Sequence, residues 1–214
     1  MNIRVALVDD HAIIREGLRS LLEGHGFIKV VGEAATGVEC LAMLEIWHPE
    51  VVVMDITMPE LNGIETTREI TRQWPGVKVV ILSVHSTTEH VYQAFAAGAF
   101  GYVLKESIGK ELFRAIRAAH GARRYLSEKI EATGGGQFLS PVATKSPLES
   151  LSKRERQVLQ LVVEGHASVE IAARLALSAK TVETYRSRLM QKLGVHDITA
   201  LVKFAIQHGL TTLG

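Results

Sequence analysis

The fold is decided by the stretch VVVMDITMP at positions 51–59. Its first four residues are apolar without polar alternation, which predicts a strand buried on both faces, as in a parallel sheet. Sheets of that kind bind ligands in a crevice beyond the carboxyl ends of their strands. Asp55 follows this strand directly, so it is a metal ligand or a nucleophile, or else a helix-capping or turn residue.

The same strand-and-helix pattern repeats through residues 1–125. Strands are predicted over Ile3–Val8, Lys29–Gly32, Val51–Met54, Val77–Leu82 and Gly101–Leu104. Apolar residues at helical spacing predict helices over Ala12–Leu22, Gly37–Trp47, Gly63–Trp74, Thr88–Ala97 and Ile108–Ala119. Alternating strands and helices predict a parallel sheet that carries helices on both faces.

A linker and a second, helical domain are predicted beyond this repeat. Glycine, serine and proline are frequent in the segment that follows the repeat. We therefore expect a flexible linker over 126–147 and a second domain over 148–214. Ser152 and Glu155 fit a capping box at the start of a helix. Four helices are predicted, over Lys153–Glu164, Ser168–Leu175, Ala179–Leu193 and Asp197–His208.

Composition favours a cytoplasmic protein without a membrane span. Hydrophobic residues make up 47% and charged residues 22% of the chain, which is ordinary for a globular protein. Cys40 is the only cysteine and lies in a helical pattern, so it is expected to be a buried apolar residue. Residues 148–214 carry 9 Lys and Arg against 6 Asp and Glu, an excess of positive charge that suits nucleic acid.

Three carboxylates are expected to meet at one edge of the sheet. Asp9 and Asp10 follow the first strand, and Asp55 follows the third. Neighbouring carboxylates repel one another unless a cation joins them, and Mg²⁺ is the cation that suits few carboxylates and several waters. The alternative is that Asp9 and Asp10 cap the helix that begins near Ala12.

Two further polar residues follow the fourth and fifth strands. Ser83 could donate its hydroxyl to an anion in the crevice, and Lys105 is placed to pair with a phosphate or a carboxylate. Either residue taken alone would more often be a solvated loop residue. Their combination with the acidic residues at successive strand ends points to one site.

These residues resemble the receiver domain of two-component response regulators. The resemblance lies in Val8-Asp9-Asp10-His11, Asp55-Ile56-Thr57-Met58-Pro59 with Gly63, Ser83, and Gly101-Tyr102-Val103-Leu104-Lys105. It covers residues 1–125 and implies a flavodoxin-like sheet of five parallel strands in the order 2-1-3-4-5.

The resemblance implies a role for each acidic residue and for one backbone carbonyl. Asp55 would accept the phosphoryl group and bind Mg²⁺. Asp10 would bind Mg²⁺ directly and Asp9 through water, while Thr57 would bind it through its backbone carbonyl.

The resemblance also implies how the phosphoryl group is contacted and sensed. Ser83 and Lys105 would contact it, and Tyr102 would turn inward as the Ser83 hydroxyl moves. The alternative for Tyr102 is a static, half-buried tyrosine on a strand.

The helical domain resembles the LuxR-type helix-turn-helix, which with a receiver is the NarL/FixJ class of transcription factors. The resemblance lies in 151–159, 170–175, 178–186 and 189–195. The second helix of the motif is expected to enter the major groove of DNA. Its exposed candidates for DNA contact are Lys180, Thr181, Glu183, Thr184, Arg186, Ser187 and Arg188.

Three residues depart from what this helix-turn-helix usually carries. Ala167 stands in place of a helix-capping Ser or Thr, and Val169 in place of a Lys or Arg near the DNA backbone. Glu183 would face an anionic groove, which is costly unless its carboxylate accepts from a cytosine amine.

These features together predict a response regulator rather than an enzyme. We expect a sensor histidine kinase to phosphorylate Asp55, and the phosphorylated protein to form a homodimer that binds double-stranded promoter DNA. Two alternatives remain at this point: an aspartate-nucleophile phosphatase, and a receiver whose helical domain binds protein instead of DNA.

Overall fold

The computed structural model describes residues 2–132, 147–208 and 210 of the chain. These residues divide into two compact units, one on each side of segment 133–146. No helix among the described residues is both long and apolar enough to cross a membrane.

The first unit is a parallel sheet flanked by helices. Its strands are β1 (Ile3–Val8), β2 (Ile28–Ala34), β3 (Val51–Asp55), β4 (Lys78–Ser83), β5 (Gly101–Leu104) and β6 (Tyr125–Leu126). Its helices are α1 (Ala12–Glu23), α2 (Gly37–Trp47), α3 (Gly63–Gln73), α4 (Thr88–Ala96), α5 (Ile108–His120) and α6 (Glu128–Ala132). The strand order is 2-1-3-4-5-6, so the predicted order is confirmed and extended by one strand.

The central strand β3 is buried on both faces, as its sequence predicts. Val52 and Met54 pack into the core beneath α2, α3 and α4, while Val51 and Val53 pack on the other face against α1 and α5. Cys40 lies in the first of these cores, where burial raises the pKa of its thiol to about 12. It is therefore the buried apolar residue that its helical pattern predicts.

The structure differs from the predicted linker at residues 126–132. The amide of Tyr125 donates to the Phe100 carbonyl at 2.8 Å, and that of Ser127 donates to the Tyr102 carbonyl at 2.9 Å. Ile130 of α6 is buried in the sheet core. This segment therefore completes the edge of the sheet, and the rest of the predicted linker up to Ser146 lies outside the described residues.

Over its described residues, the second unit has four helices after a short 3-10 helix, Pro147–Ser150. They are α7 (Lys153–Val163), α8 (Ser168–Leu175), α9 (Ala179–Leu193) and α10 (Ile198–Gln207). The predicted capping box is present, since Ser152 Oγ accepts from the Glu155 amide at 3.3 Å and Glu155 Oε2 accepts from the Ser152 amide at 2.7 Å. Val158, Ile171 and Leu189 are buried together, so these helices share one core.

Candidate functional site

The carboxyl ends of β1 and β3 lie side by side in the sheet. Val8 is in register with Met54, so Asp9 and Asp55 both lie at the adjoining ends of these strands. Both aspartates are buried, with 1% of Asp9 and 6% of Asp55 exposed. Because burial disfavours a charged carboxylate, this pair needs a positive partner.

Lys105 is the positive partner that the structure brings to these carboxylates. Its Nζ lies 2.7 Å from Asp9 Oδ2 and 2.7 Å from Asp55 Oδ2. It follows β5, which is separated from β3 by β4, so only the tertiary fold brings it here. The side chain reaches across the carboxyl ends of the sheet and joins both aspartates.

The electrostatics of the site follow from burial and from this pairing. Burial raises the pKa of Asp55 to about 6, although the charge and hydrogen bond of Lys105 oppose the rise. Burial disfavours the charged form of Lys105 too, but the two aspartates outweigh it and raise the pKa of its ammonium. At neutral pH the site therefore holds a charged Lys105 beside an ionised Asp55.

His11 belongs to the acidic cluster although it was not predicted as a site residue. Its Nδ1 lies 2.9 Å from Asp10 Oδ1 and 3.2 Å from Asp9 Oδ1. One ligand atom from each of Asp9, Asp10, His11 and Asp55 lies within 4.8 Å of the others, so the cluster could hold a metal ion. The signal in the sequence was its position directly after the aspartate pair.

The loop between β3 and α3 holds Asp55 through close backbone packing. A Cβ at Gly63 would lie 1.9 Å from the Asp55 carbonyl oxygen, so only glycine fits there. The Gly63 amide donates to the Ile56 carbonyl at 2.8 Å, and the Ile56 amide donates to Asp55 Oδ1 at 2.7 Å. Thr57 lies in this loop, two residues after Asp55.

Ser83 and Tyr102 both contact His85 in the loop after β4. Ser83 Oγ accepts from the His85 amide at 3.1 Å, and the Tyr102 hydroxyl donates to the His85 carbonyl at 2.7 Å. Tyr102 is fully buried rather than half-buried, and whether it moves on phosphorylation stays a prediction. Sequence reasoning missed His85, because its role lies in its backbone groups.

The helix α9 carries the predicted DNA-contacting residues on one exposed face. Its exposed members are Lys180, Glu183, Thr184, Ser187 and Arg188, while Thr181 and Arg186 are half-buried. The Thr184 hydroxyl donates to the Lys180 carbonyl at 3.0 Å, and Glu183 contacts Ser168 and Arg186. Thr184 and Glu183 are therefore already engaged within the domain.

The start of α8 lacks a side-chain cap, as Ala167 predicts. Alanine has no oxygen to accept from the helix amides, so only the reverse half of a capping box is present. In it, Glu170 Oε2 accepts from the Ala167 amide at 3.0 Å.

Two family matches cover most of the chain. Residues 5–117 match the family described as "Response regulator receiver domain". Residues 149–205 match the family described as "Bacterial regulatory proteins, luxR family". The chain therefore belongs to the two-component response regulators of the NarL/FixJ class, with a receiver domain and a LuxR-type DNA-binding domain. The class predicted from the sequence is confirmed.

Individual relatives extend over nearly the whole chain. The response regulator UvrY of Escherichia coli K12 is 39% identical, over 97% of this chain and 95% of UvrY. GacA of Pseudomonas aeruginosa is 36% identical, over 97% of each chain. RcsB of Salmonella enterica serovar Typhimurium, solved bound to the promoter rprA with the phosphomimetic BeF3-, is 28% identical. It matches with a TM-score of 0.63 over 95% of this chain and 98% of its own.

Proposed function

We propose that Asp55 is phosphorylated by a sensor histidine kinase and that this modification controls binding of the LuxR-type domain to promoter DNA. The observation that carries the proposal is the buried Asp55 carboxylate, 2.7 Å from Lys105 and beside a second buried aspartate, Asp9. A buried nucleophile paired with a cation suits phosphoryl transfer, because this reaction depends on positioning and charge neutralisation.

The chemistry is a single displacement at phosphorus. A carboxylate oxygen of Asp55 attacks the phosphoryl group of the donor, and the bond from phosphorus to the donor histidine nitrogen breaks. The product is an acyl phosphate on Asp55, and the electron pair of the broken bond stays with the histidine nitrogen. Lys105 remains beside the new phosphoryl oxygens, where its charge offsets theirs.

The acidic cluster fits a resident Mg²⁺ ion. The carboxylates of Asp9, Asp10 and Asp55 are hard oxygen ligands close enough to share one ion, and Thr57 would add its backbone carbonyl. When bound, the ion reduces the repulsion between the anionic nucleophile and the phosphoryl oxygens. Binding by few protein ligands leaves room for waters in its coordination shell.

Ser83 and Tyr102 would transmit the modification to the loop after β4. An acyl phosphate offers strong acceptors, which draw the Ser83 hydroxyl toward Asp55 and away from the His85 amide. The His85 carbonyl is already bound to the Tyr102 hydroxyl at 2.7 Å, so a shift of this loop also moves the hydrogen-bond partner of Tyr102. The surface near α4 would then differ between the phosphorylated and the unphosphorylated protein.

The output step is DNA binding through α9 in the major groove. Lys180, Arg186 and Arg188 are candidates for phosphate contact, and Glu183, Thr184 and Ser187 for contact with base edges. Thr181 is a further candidate for contact with DNA. A small excess of positive charge predicts weak binding by one copy. A homodimer formed on phosphorylation would bind more tightly, because the second domain binds at a high effective concentration. We place the protein in the cytoplasm with its DNA, as a switch rather than a turnover enzyme.

The proposal is tested with acetyl phosphate and Mg²⁺ as a defined donor system. Intact-mass measurement should show one added phosphoryl group on the wild-type protein and none on Asp55→Asn. Asp197→Asn is the matched control, because Asp197 is the one aspartate outside the cluster and asparagine caps α10 equally well. A phosphorylated Asp55→Asn protein would refute the assignment of the acceptor.

Coupling to DNA is tested by selecting duplexes from a genomic pool with phosphorylated and unphosphorylated protein. The phosphorylated wild type and Asp197→Asn should bind the selected duplexes more tightly than Asp55→Asn does. Equal binding in both states would refute the coupling. If neither the phosphorylated nor the unphosphorylated protein showed salt-sensitive DNA binding, a protein partner for the helical domain would be favoured instead.

A further inference from the structure

One acidic side chain lies within the basic face of α9 and is held by its neighbours. The Glu183 carboxylate accepts a hydrogen bond from Ser168 Oγ at the start of α8. Its Oε1 also lies 3.4 Å from Arg186 Nη1, and that same nitrogen lies 3.4 Å from Ser168 Oγ. The three side chains form a closed network that joins α8 to α9.

Arg186 is the enclosed member of this network. Its side chain is 28% exposed, whereas that of Glu183 is 58% exposed. Lys180 and Arg188 differ, because within the described part of the chain neither of them forms an ion pair. Of the three cations at the DNA-facing positions of α9, only Arg186 is therefore partly neutralised before DNA arrives.

The neighbouring start of α8 is also poor in groups that bind phosphate. Val169 is 71% exposed and apolar, and Ala167 carries no hydroxyl. Ser168 has a hydroxyl, but its oxygen is occupied by Glu183 and Arg186. The start of α8 next to Glu183 and Arg186 therefore offers few side chains for sequence-independent contact with phosphates.

We infer that Glu183 is a specificity-determining residue that acts by positioning Arg186. Together with Ser168 it keeps the guanidinium away from phosphates, which lowers non-specific affinity and leaves binding more dependent on base contacts. Non-specific binding comes almost wholly from cations that neutralise phosphates. Keeping one cation from contacting phosphates therefore raises the ratio of the affinity for specific DNA to the affinity for non-specific DNA. The inference rests on the proposed placement of α9 against DNA.

The test measures affinity against salt concentration for the full-length protein. The probes are a mixed-sequence duplex and a duplex selected from the genomic pool. Glu183→Gln should bind the mixed-sequence duplex more tightly, with a log–log salt slope steeper by about 0.9, the value for one additional phosphate contact. The ratio of affinities between the selected and mixed duplexes should fall.

Glu170→Gln is the matched control for the change in charge. Glu170 lies on α8 in the same domain, and glutamine can keep its hydrogen bond to the Ala167 amide. This variant should change the slope much less than Glu183→Gln does. Equal slopes in the two variants would overturn the inference, because Glu183 would then act only through the net charge of the domain.

A double-mutant cycle separates positioning of Arg186 from direct base reading. In an Arg186→Gln background, Glu183→Gln should no longer steepen the salt slope, and a persistent change would overturn the inference. Ser168→Ala is a second variant that loosens Glu183 and should shift the slope in the same direction. Loss of affinity for the selected duplex alone, with an unchanged slope on the mixed duplex, would show that Glu183 reads a base instead.

Failure of the proposed function has a different signature. A wild-type protein without salt-sensitive binding to either duplex would contradict the placement of α9 against DNA. A wild-type protein that binds both duplexes, with a Glu183→Gln variant that matches it in slope and ratio, would overturn only the role of Glu183.

Discussion

The ammonium nitrogen of Lys105 lies 2.7 Å from a carboxylate oxygen of Asp55 and the same distance from one of Asp9. One cation therefore compensates two buried carboxylates that come from different strands. It is this arrangement that lets the proposed nucleophile remain ionised in a site where burial opposes its charge.

Replacing Lys105 with methionine should slow phosphorylation by acetyl phosphate roughly 100-fold, the scale for loss of one preorganised electrostatic contact. The carboxyl pKa of Asp55 should rise further, because Lys105 opposes the effect of burial. Lys129→Met removes a lysine from an exposed pair with Glu106 and should leave the rate unchanged. An unaltered rate in Lys105→Met would contradict the role of this ammonium.

The metal-free receiver should lose stability as the pH rises through the titration of Asp55. The carboxyl pKa is about 6 in the folded protein against an ordinary 3.8, so the folded state binds this proton more tightly. The resulting stabilisation is complete below the ordinary pKa and lost as the pH rises through about 6. It amounts to about 3 kcal/mol in the free energy of unfolding.

The measurement is denaturant unfolding of the wild type and of Asp55→Asn across this pH window. The free energy of unfolding of the wild type, relative to that of Asp55→Asn, should decline with rising pH, because the asparagine does not titrate. Mg²⁺ should restore stability at the higher pH, because it binds the ionised carboxylates of the folded state. A pH-independent difference would show that Asp55 does not titrate in this range.

Gly63→Ala should destabilise the receiver by about 3 kcal/mol or more and abolish phosphorylation. Its new Cβ would lie 1.9 Å from the Asp55 carbonyl oxygen, so the backbone that carries the nucleophile must move. Gly109→Ala in α5 is the control, because nothing lies within 4 Å of the added atom. It should be neutral or stabilise by roughly 0.4–1 kcal/mol. Similar unfolding midpoints for the two variants would contradict the close packing at Gly63.

Lys192→Met should lower the stability of the helical domain by about 2 kcal/mol. Lys192 Nζ lies 2.7 Å from Oε2 of the buried Glu155. Burial opposes the charge of Glu155, yet the hydrogen bonds from Lys192 and Ser152 outweigh it and lower the pKa of the carboxyl. Thermal unfolding should show a smaller effect for the exposed Lys203→Met. Equal melting temperatures for Lys192→Met and Lys203→Met would mean that Glu155 needs no cation.

Ala176→Gly should stabilise the turn between α8 and α9 by about 1 kcal/mol. Ala176 has φ 53° and ψ 49°, a left-handed conformation that glycine adopts without strain. Ala173→Gly, in the interior of α8, should do the opposite and cost about 1 kcal/mol. The melting temperature should therefore rise for Ala176→Gly and fall for Ala173→Gly. A fall in both variants would show that Ala176 is unstrained.

Local sequence signals located most elements of the fold. The bounds predicted for β1, β5, α2, α8 and α9 match the structure residue for residue. Their ends are marked by short-range features, such as the Thr36 side chain that accepts from the Glu39 amide at the start of α2. Such features act within a few residues of sequence, so a single chain reveals them.

The elements and contacts that escaped prediction depend on distant residues. β6 has only two residues, and it is a strand because β5 offers free backbone groups beside it. His11 contacts the adjacent Asp9 and Asp10, but the cluster is completed by Asp55 from β3. His85 matters through its carbonyl, which accepts from the distant Tyr102 hydroxyl. The engagement of Glu183 with Ser168 requires α8 to lie against α9.

The sequence by itself determined the order of strands and helices, the residues at each strand end, and the class of the protein. The order of the elements and the residues at the strand ends follow from periodicity, helix caps and residue spacing, which are local properties of the chain, and the class follows from the resemblance of its motifs to those of response regulators. Only the tertiary structure decided that Lys105 joins Asp9 to Asp55, and that Ser168 of α8 contacts both Glu183 and Arg186 of α9. Charge pairing depends on distances of a few ångströms between residues far apart in sequence, and packing alone sets those distances.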